Sequence, residues 1–305
     1  MLNVYEQIDR NKQRSLLIII VFIVFVGVIT WVFTQVAGYN TGFVGMALIF
    51  AGLMSFGSYW WSDKIILGIS RAKPASRKAD FHFFTVAENL ALAAQIPVPK
   101  LYVIEDSAPN AFATGRDPEH AVVCATTGLL TKLNRTELEG VVAHELSHVK
   151  NYDIRLMSIV TILVGMIALL GDWFLRGSLF GGERRREKSN NLSGFLFAIG
   201  LVLIIFSPLI ARLIQLAISR RREFLADASA TMLTRYPEGL ARALEKIAAD
   251  KEPLEVANKA TAHLYIVNPF KEGVYPERSR RSWFANLFNT HPPVIERIKA
   301  LRQMR

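Results

Sequence analysis

The sequence predicts a mainly α-helical membrane protein with several spans and a small β-sheet. Two long uncharged runs near the amino terminus, Leu16–Phe33 and Gly42–Trp61, predict membrane helices. Hydrophobic residues make up 51 % of the 305 residues and the mean hydropathy is +0.25, which is too apolar for an ordinary soluble enzyme. Two short apolar segments, Lys100–Ile104 and Ala121–Ala125, predict strands within an otherwise polar region.

Each of these two runs is long enough to cross a hydrocarbon core of about 30 Å as a helix. Residues 192–211 form a third candidate span. Residues 156–171 form a shorter fourth, which reaches Leu175 only by including Asp172. The first run is longer than the apolar part of a signal peptide, and no small-residue cleavage motif follows it. An uncleaved anchor is therefore expected.

Basic residues beside the apolar runs predict the orientation of the chain. Lys12 and Arg14 precede the first run, the link 35–41 is uncharged, and five Lys or Arg residues lie between 64 and 78. By the positive-inside rule, the amino terminus and the chain after the second run lie in the cytoplasm. The basic connection 176–191 fits badly, so either the rule is broken locally or the third and fourth runs form a hairpin that does not fully cross.

The net charge of +10 is explained by orientation and by anionic lipid beside the spans, so a lipid bilayer is expected as partner and nucleic acid is not. The single cysteine, Cys124, excludes an intramolecular disulfide. Its apolar neighbours predict a small buried side chain.

Local patterns place helices in the polar part of the chain. Asp80–Gln95 has apolar residues at helical spacing, and Pro237 suits the start of another helix. Thr136 and Glu139 form a predicted capping box, so the segment that follows, which includes His144, is expected to be helical.

His144 and His148 are four residues apart on that predicted helix, so both imidazoles project from one face and can bind one tetrahedral ion. Glu145 is the next residue round, where a carboxylate can reach a metal-bound water without being a ligand. Zinc lowers the pKa of such a water to about 7, and a carboxylate can take its proton as it attacks a peptide carbonyl. The pattern predicts a zinc peptidase in which Glu145 is catalytic.

A hydrolytic zinc site needs a third protein ligand and an open position. Glu223 follows the last apolar run, with Asp227 one helical turn later. This pair could supply a ligand and a carboxylate that orients a ligating histidine. The alternative is a solvated acid that balances Arg220–Arg222. Two apolar runs separate His148 from Glu223, so the two residues share a side of the membrane whether both runs cross or neither does.

These motifs resemble those of the HtpX heat-shock membrane proteases, which are relatives of the CAAX prenyl proteases. The resemblance covers nearly the whole chain. It rests on His144–Asp153, Pro109–Gly115, Ala121–Leu130, Thr290–Pro293 and the pair Glu223 and Asp227.

The resemblance implies a gluzincin-type catalytic domain with one zinc ion per chain. The implied ligands are His144, His148 and Glu223, with Glu145 catalytic and Asp227 supporting a ligand. It also implies an integral protein of the bacterial cytoplasmic membrane whose catalytic domain faces the cytoplasm. The implied substrates are damaged or misassembled membrane proteins, cleaved in stress-related quality control. After Asp250 the chain matches the family pattern only in patches, which leaves substrate selection there open.

The expected organisation has four parts. Residues 1–61 hold two transmembrane helices, and 156–211 hold the two further apolar helices. Residues 62–155 and 212–305 form the first and second parts of the catalytic domain.

Three further residues are candidates for contact with the substrate or transition state. Asn110 and Ala111 lie in the segment Asn110–Thr114, which together with strand Ala121–Ala125 could form the active-site edge, where an extended substrate adds as a strand. The alternative is an ordinary core hairpin. His291 could donate to the oxyanion or simply form a turn before a helix. Asn151 and Asp153 are expected to tie the end of the zinc helix to the next run.

Two other functions are compatible with parts of the pattern. One is a non-catalytic membrane scaffold with structural zinc, although a closed structural site has no use for Glu145. The other is a processing protease of the CAAX type with a narrow substrate, such as a prenylated or lipidated tail. The sequence does not separate this second alternative from quality control.

Overall fold

The structure is a computed structural model that describes residues 4–37, 40, 42–163, 165, 220–257, 261–270 and 292–304. Residues 166–175, the basic connection 176–191, the run 192–211 and His291 lie outside the described residues. The expectations for those segments therefore stay predictions.

The amino-terminal part consists of three helices: α1 (Val4–Ala37), α2 (Gly42–Trp60) and α3 (Ser62–Ile69). Within the described residues, one stretch of helix, Asp9–Val28, is long and apolar enough to cross a membrane. Helix α2 from Val44 onward and helix α3 meet at a bend of 82°. They provide a second candidate span only if the two are counted together as one. Both long helices expose large apolar side chains along their outer faces, as lipid contact requires.

A four-stranded mixed sheet forms one layer of the polar domain. Its strands are β1 (Lys73–Pro74), β2 (Lys100–Ile104), β3 (Ala111–Thr114) and β4 (Val122–Thr126), in the order β1-β2-β4-β3. Strands β2 and β4 are parallel, whereas β3 runs antiparallel to β4 at the edge. The first predicted strand has the predicted bounds, and the second is shifted by one residue.

Seven helices complete the described structure. They are α4 (Phe81–Ala94), α5 (Thr127–Lys132), α6 (Arg135–Lys150), α7 (153–163), α8 (Arg220–Thr234), α9 (Pro237–Ala249) and α10 (Val294–Arg302). Helix α6 is central, because it packs against α4, α8, α9 and the inner face of the sheet. Helix α10 packs on α8 and α9. The fold is therefore mainly helical with a small mixed sheet, as the sequence predicted.

The start of α6 corrects one prediction. The capping box is formed by Asn134 and Glu137, not by Thr136 and Glu139. Asn134 has an extended backbone, so its side chain accepts from the Glu137 N–H while the Glu137 carboxylate accepts from the Asn134 N–H. Thr136 is already inside the helix, and its hydroxyl donates to the Asn134 side chain.

Close packing against α9 fixes the position of α6 in the domain. A Cβ on Gly140 would lie 2.6 Å from the backbone nitrogen of Leu240 in α9, closer than real side chains approach. Only glycine lets the two helix backbones come this near. The contact lies one turn before His144, so it sets how far the next turn of α6 reaches into the domain.

Candidate active site

Helix α6 places His144, Glu145 and His148 inside the protein. All three are buried, and the two histidine rings lie edge to face with centroids 4.8 Å apart. Their Nε2 atoms are 3.2 Å apart and turned toward one point. The spacing of four residues therefore has the structural consequence that the sequence predicted.

Glu223 reaches the same point from helix α8. Its carboxylate oxygens lie 3.7 Å from Nε2 of His144 and 3.6 Å from Nε2 of His148. Zinc–ligand bonds of about 2.1 Å at tetrahedral angles place ligand atoms about 3.4 Å from one another. The three donors are buried and spaced for one such ion. The described residues thus fit a zinc site.

A carboxylate holds the outer nitrogen of each histidine. Nδ1–H of His144 donates to Asp227 at 2.9 Å, and Nδ1–H of His148 donates to Asp153 at 3.1 Å. These bonds fix each ring in the tautomer whose Nε2 lone pair faces the metal position. Asp227 lies where the sequence placed it. The sequence expectation for Asp153 named only a connection between helices and missed its contact with His148.

Arg297, on helix α10, is a residue that the sequence argument missed. Its side chain is fully buried and forms a two-pronged ion pair with Asp227, at 2.6 and 2.9 Å. A further N–H donates to the carbonyl of Ile266 at 3.0 Å. Arg297 therefore links the carboxyl-terminal helix to the carboxylate that orients His144. The only feature of the sequence that could have drawn attention to Arg297 is its position shortly after the motif Thr290–Pro293.

The pKa values of the two histidines move in opposite directions. Burial, followed by the charge of Arg297, lowers the pKa of His144 to about 4, so this ring is neutral at pH 7 as a metal ligand must be. Burial also acts to lower the pKa of His148, but the bond to Asp153 and the charges of Glu223 and Glu145 outweigh it and raise that pKa to about 9. A metal ion would therefore displace a proton from His148.

The acids around the site are also buried together. Burial would raise the pKa of Asp227, but Arg297 lowers it to about 2, so the carboxylate is ionised. Four acidic side chains and two guanidiniums cluster here, so once a metal ion has displaced the proton of His148 the acids exceed the guanidiniums by two, which matches the charge of one divalent cation. These groups are Glu145, Asp153, Glu223 and Asp227, with Arg222 and Arg297.

Asn110 and Ala111 lie at the edge strand β3, and both are buried. The Asn110 side chain donates to the carbonyl of Val267 at 2.9 Å, and the Ala111 carbonyl accepts from the Ile266 N–H at 3.0 Å. These atoms therefore hold the segment that also receives Arg297.

A buried histidine pair on one helix, a carboxylate from a second helix and a glutamate beside the first histidine are the parts of a metallopeptidase site. The sequence model of Peptidase family M48 matches residues 78–305, which include every residue of the site described above. The chain belongs to this family. It is a metalloprotease, and its apolar amino-terminal helix and its relatives mark it as a membrane protease.

Curated relatives match this chain along almost its whole length. "Protease HtpX homolog" of Dictyoglomus turgidum is 45 % identical over 302 residues, covering 98 % of this chain and 94 % of the relative. The protein of the same name from Caldanaerobacter subterraneus is 44 % identical, with coverage of 98 % and 97 %. That of Streptococcus uberis is 41 % identical, with coverage of 98 % and 99 %. The resemblance inferred from the motifs is therefore confirmed.

One solved structure, the crystal structure of S. mikatae Ste24p, aligns with a TM-score of 0.48 at 19 % identity. The alignment covers 90 % of this chain, and the chain spans 62 % of the length of that structure.

Proposed function

We propose that the protein is a zinc-dependent endopeptidase that cleaves damaged or misassembled membrane proteins at the cytoplasmic face of a bacterial membrane. The observation that carries the proposal is the set of three buried donor atoms, 3.2–3.7 Å apart, with the buried Glu145 next to His144 on the same helix. Membership of a peptidase family supports peptide bonds as the substrate.

His144, His148 and Glu223 would hold the zinc ion. Bound zinc supplies Lewis acidity, which polarises the peptide carbonyl and acidifies the attacking water. Glu145 then accepts the proton of that water and delivers it to the leaving amine. The reaction needs Glu145 to be ionised at the start, and its burial keeps competing bulk water away from the proton it carries.

An extended substrate would add to the edge of strand β3. Asn110 accepts from Thr126 through its backbone carbonyl, so alternate residues from Asn110 onward bond to β4. The backbone groups of Ala111 and Ala113 therefore point away from β4. The Ala111 carbonyl already accepts from Ile266, which leaves the outward backbone groups of Ala113; because Ala113 is 3 % exposed, a substrate strand that pairs there would have to displace the residues that cover it.

Broad cleavage of misfolded membrane proteins is tested with the full-length enzyme in detergent. One membrane protein is offered in its folded form and after misfolding by heat, so that both substrates share a sequence. We expect several cuts in the misfolded form and few in the folded form. A chelator should stop cleavage and added zinc should restore it. One cut near a tail in both forms would instead favour the narrow processing protease, and cleavage that ignores the chelator would contradict zinc dependence.

The orientation is tested with a membrane-impermeant maleimide. Cys124 is fully buried, and burial raises the pKa of its thiol, so the natural chain gives little background. Leu92 on α4 is 80 % exposed, and we expect Leu92→Cys to be labelled in inverted vesicles but not in intact cells. Asn40, exposed in the link between α1 and α2, provides the opposite control as Asn40→Cys. Labelling of Leu92→Cys from outside would contradict a cytoplasmic catalytic domain.

A further inference from the structure

Asn11 is a buried polar residue on helix α1, at the amino-terminal end of the candidate membrane span. It comes five residues before the uncharged run that begins at Leu16. Both hydrogens of its side-chain amide are used. One is donated to the backbone carbonyl of Asn151 at 2.9 Å and the other to Oδ1 of Asp153 at 2.8 Å. The partners lie 140 and 142 residues further along the chain.

The second carboxylate oxygen of Asp153 contacts the candidate metal ligand His148. Oδ2 accepts from Nδ1 of His148, while Oδ1 accepts from Asn11 and lies 3.5 Å from the guanidinium of Arg222. Asp153 is 3 % exposed, so water does not compete freely for either oxygen. The carboxylate is thus held from one side by α1 and itself holds the ring of His148 from the other.

The surrounding contacts keep α1 in place against this junction. Lys12, next to Asn11, lies over the ring of Tyr152 at 4.7 Å, and Arg155 lies over the same ring at 5.0 Å. Arg155 also lies over Tyr59 of helix α2 at 5.4 Å. A buried apolar cluster then joins α1 and α2 to α7; its members are Ile18, Phe22, Ala51, Leu156, Ile159, Val160 and Leu163.

We propose that Asn11 is a positioning residue of the metal site, acting through Asp153 on the ring of His148. The inference rests on the proposed function, because it takes His148 as a metal ligand. A ligating imidazole whose outer nitrogen is held firmly keeps its metal-facing nitrogen aimed, and carboxylates that do this are themselves hydrogen-bonded. Here the bond that fixes the carboxylate comes from the membrane helix. The metal site is complete only when α1 is docked against the end of α6.

Asparagine suits this position better than other side chains of similar size. Its amide donates two hydrogen bonds at once and carries no charge, so it leaves the negative charge of Asp153 available to His148. Leucine has nearly the same shape and can donate nothing. An aspartate would set a second carboxylate against Asp153, where no donor would lie between them.

The test measures zinc affinity of the full-length protein in detergent by competition with a chelator. We expect Asn11→Leu to weaken zinc binding about tenfold or more, within the 10–100-fold range typical of groups that support a ligand. The cobalt-substituted protein should show a changed visible absorption spectrum, because that spectrum reports ligand geometry. A role limited to helix packing would leave the spectrum unchanged.

Ser15→Ala is the matched control. Ser15 lies one turn further along α1 and is equally buried, but its hydroxyl donates only to the Asn11 carbonyl of its own helix. We expect wild-type zinc affinity and spectrum for this variant. Asn11→Ala, which is smaller and removes the same two donors, carries the test if the leucine variant does not fold.

A swap measures the coupling directly. Asn11→Asp alone should bind zinc poorly, and adding Asp153→Asn should recover part of the affinity, because the new amide can accept from His148 and donate to the new carboxylate. Wild-type affinity and spectrum in both Asn11→Leu and Asn11→Ala, with weaker binding in Asp153→Ala, would overturn the role of Asn11 and leave the zinc site standing. Undiminished zinc binding in His148→Ala and Glu223→Ala would instead overturn the proposed zinc site.

Discussion

Glu145→Gln should abolish peptide hydrolysis while the protein still binds zinc. Glutamine has the shape of glutamate but cannot accept a proton from the attacking water, and general bases contribute about 10²–10⁴-fold to such reactions. Because Glu145 is buried beside the donor set and is not one of the three donors, its loss leaves the proposed ligands in place. The measurement is the initial rate of cleavage of an unfolded protein, with zinc content determined on the same sample.

Glu139→Gln provides the matched control on the same helix. Glu139 pairs with Arg135 near the surface, at 3.1 Å, and faces away from the site, so its replacement should leave cleavage unchanged. Proteolysis at the wild-type rate by purified, zinc-loaded Glu145→Gln would remove Glu145 from the mechanism. Loss of zinc together with activity would mean that Glu145 supports the metal instead of moving a proton.

The sequence predicted those parts of the site whose geometry is local. The spacing of His144 and His148 requires only one turn of helix, and the spacing of Glu223 and Asp227 requires only another. The number of apolar runs between the two pairs then allowed them to share a side of the membrane. In the structure His144, His148 and Glu223 face one point, and Asp227 contacts Nδ1 of His144.

The remaining parts depend on contacts that no short pattern encodes. Asn11 and Arg297 meet the site from opposite ends of the chain, on helices whose docking is decided by apolar packing. Polar residues in such positions look in sequence like ordinary helix residues. The capping box was misplaced by two residues for a related reason. Both Asn134 and Thr136 can cap a helix, and the backbone conformation at Asn134, not its residue type, decides between them.

Arg297→Met should destabilise the protein and weaken zinc binding together. Methionine fills similar space without the guanidinium, so Asp227 would keep its buried charge but lose a two-pronged partner. Breaking a buried ion pair from one side costs about 3–5 kcal/mol. The loss would also free the segment at Ile266, whose carbonyl accepts from Arg297, and helix α10. The measurements are chemical unfolding in detergent and zinc affinity by chelator competition.

Two further variants show whether the stability lost in Arg297→Met comes from the charge of the arginine, from its hydrogen-bonding geometry or from the loss of any arginine on this helix. Arg297→Lys keeps a positive charge but lacks the planar guanidinium that donates side by side to both oxygens of Asp227 and also to Ile266, so its stability should fall between wild type and Arg297→Met. Arg302→Met removes an arginine from the same helix where it is exposed and pairs with Glu238 and Glu245, and it should change stability much less.

A double variant tests whether the stability and the zinc affinity of the protein depend on Arg297 through the same residue, Asp227. If Arg297 acts by compensating the buried charge of Asp227, the double variant Arg297→Met with Asp227→Leu should be more stable than Arg297→Met alone, because the uncompensated carboxylate of Asp227 is removed. The double variant should still bind zinc poorly, since Nδ1 of His144 would have lost the acceptor that fixes its ring. A double variant that is no more stable than the single one would show that Arg297 acts through packing of α10 and not through the charge of Asp227.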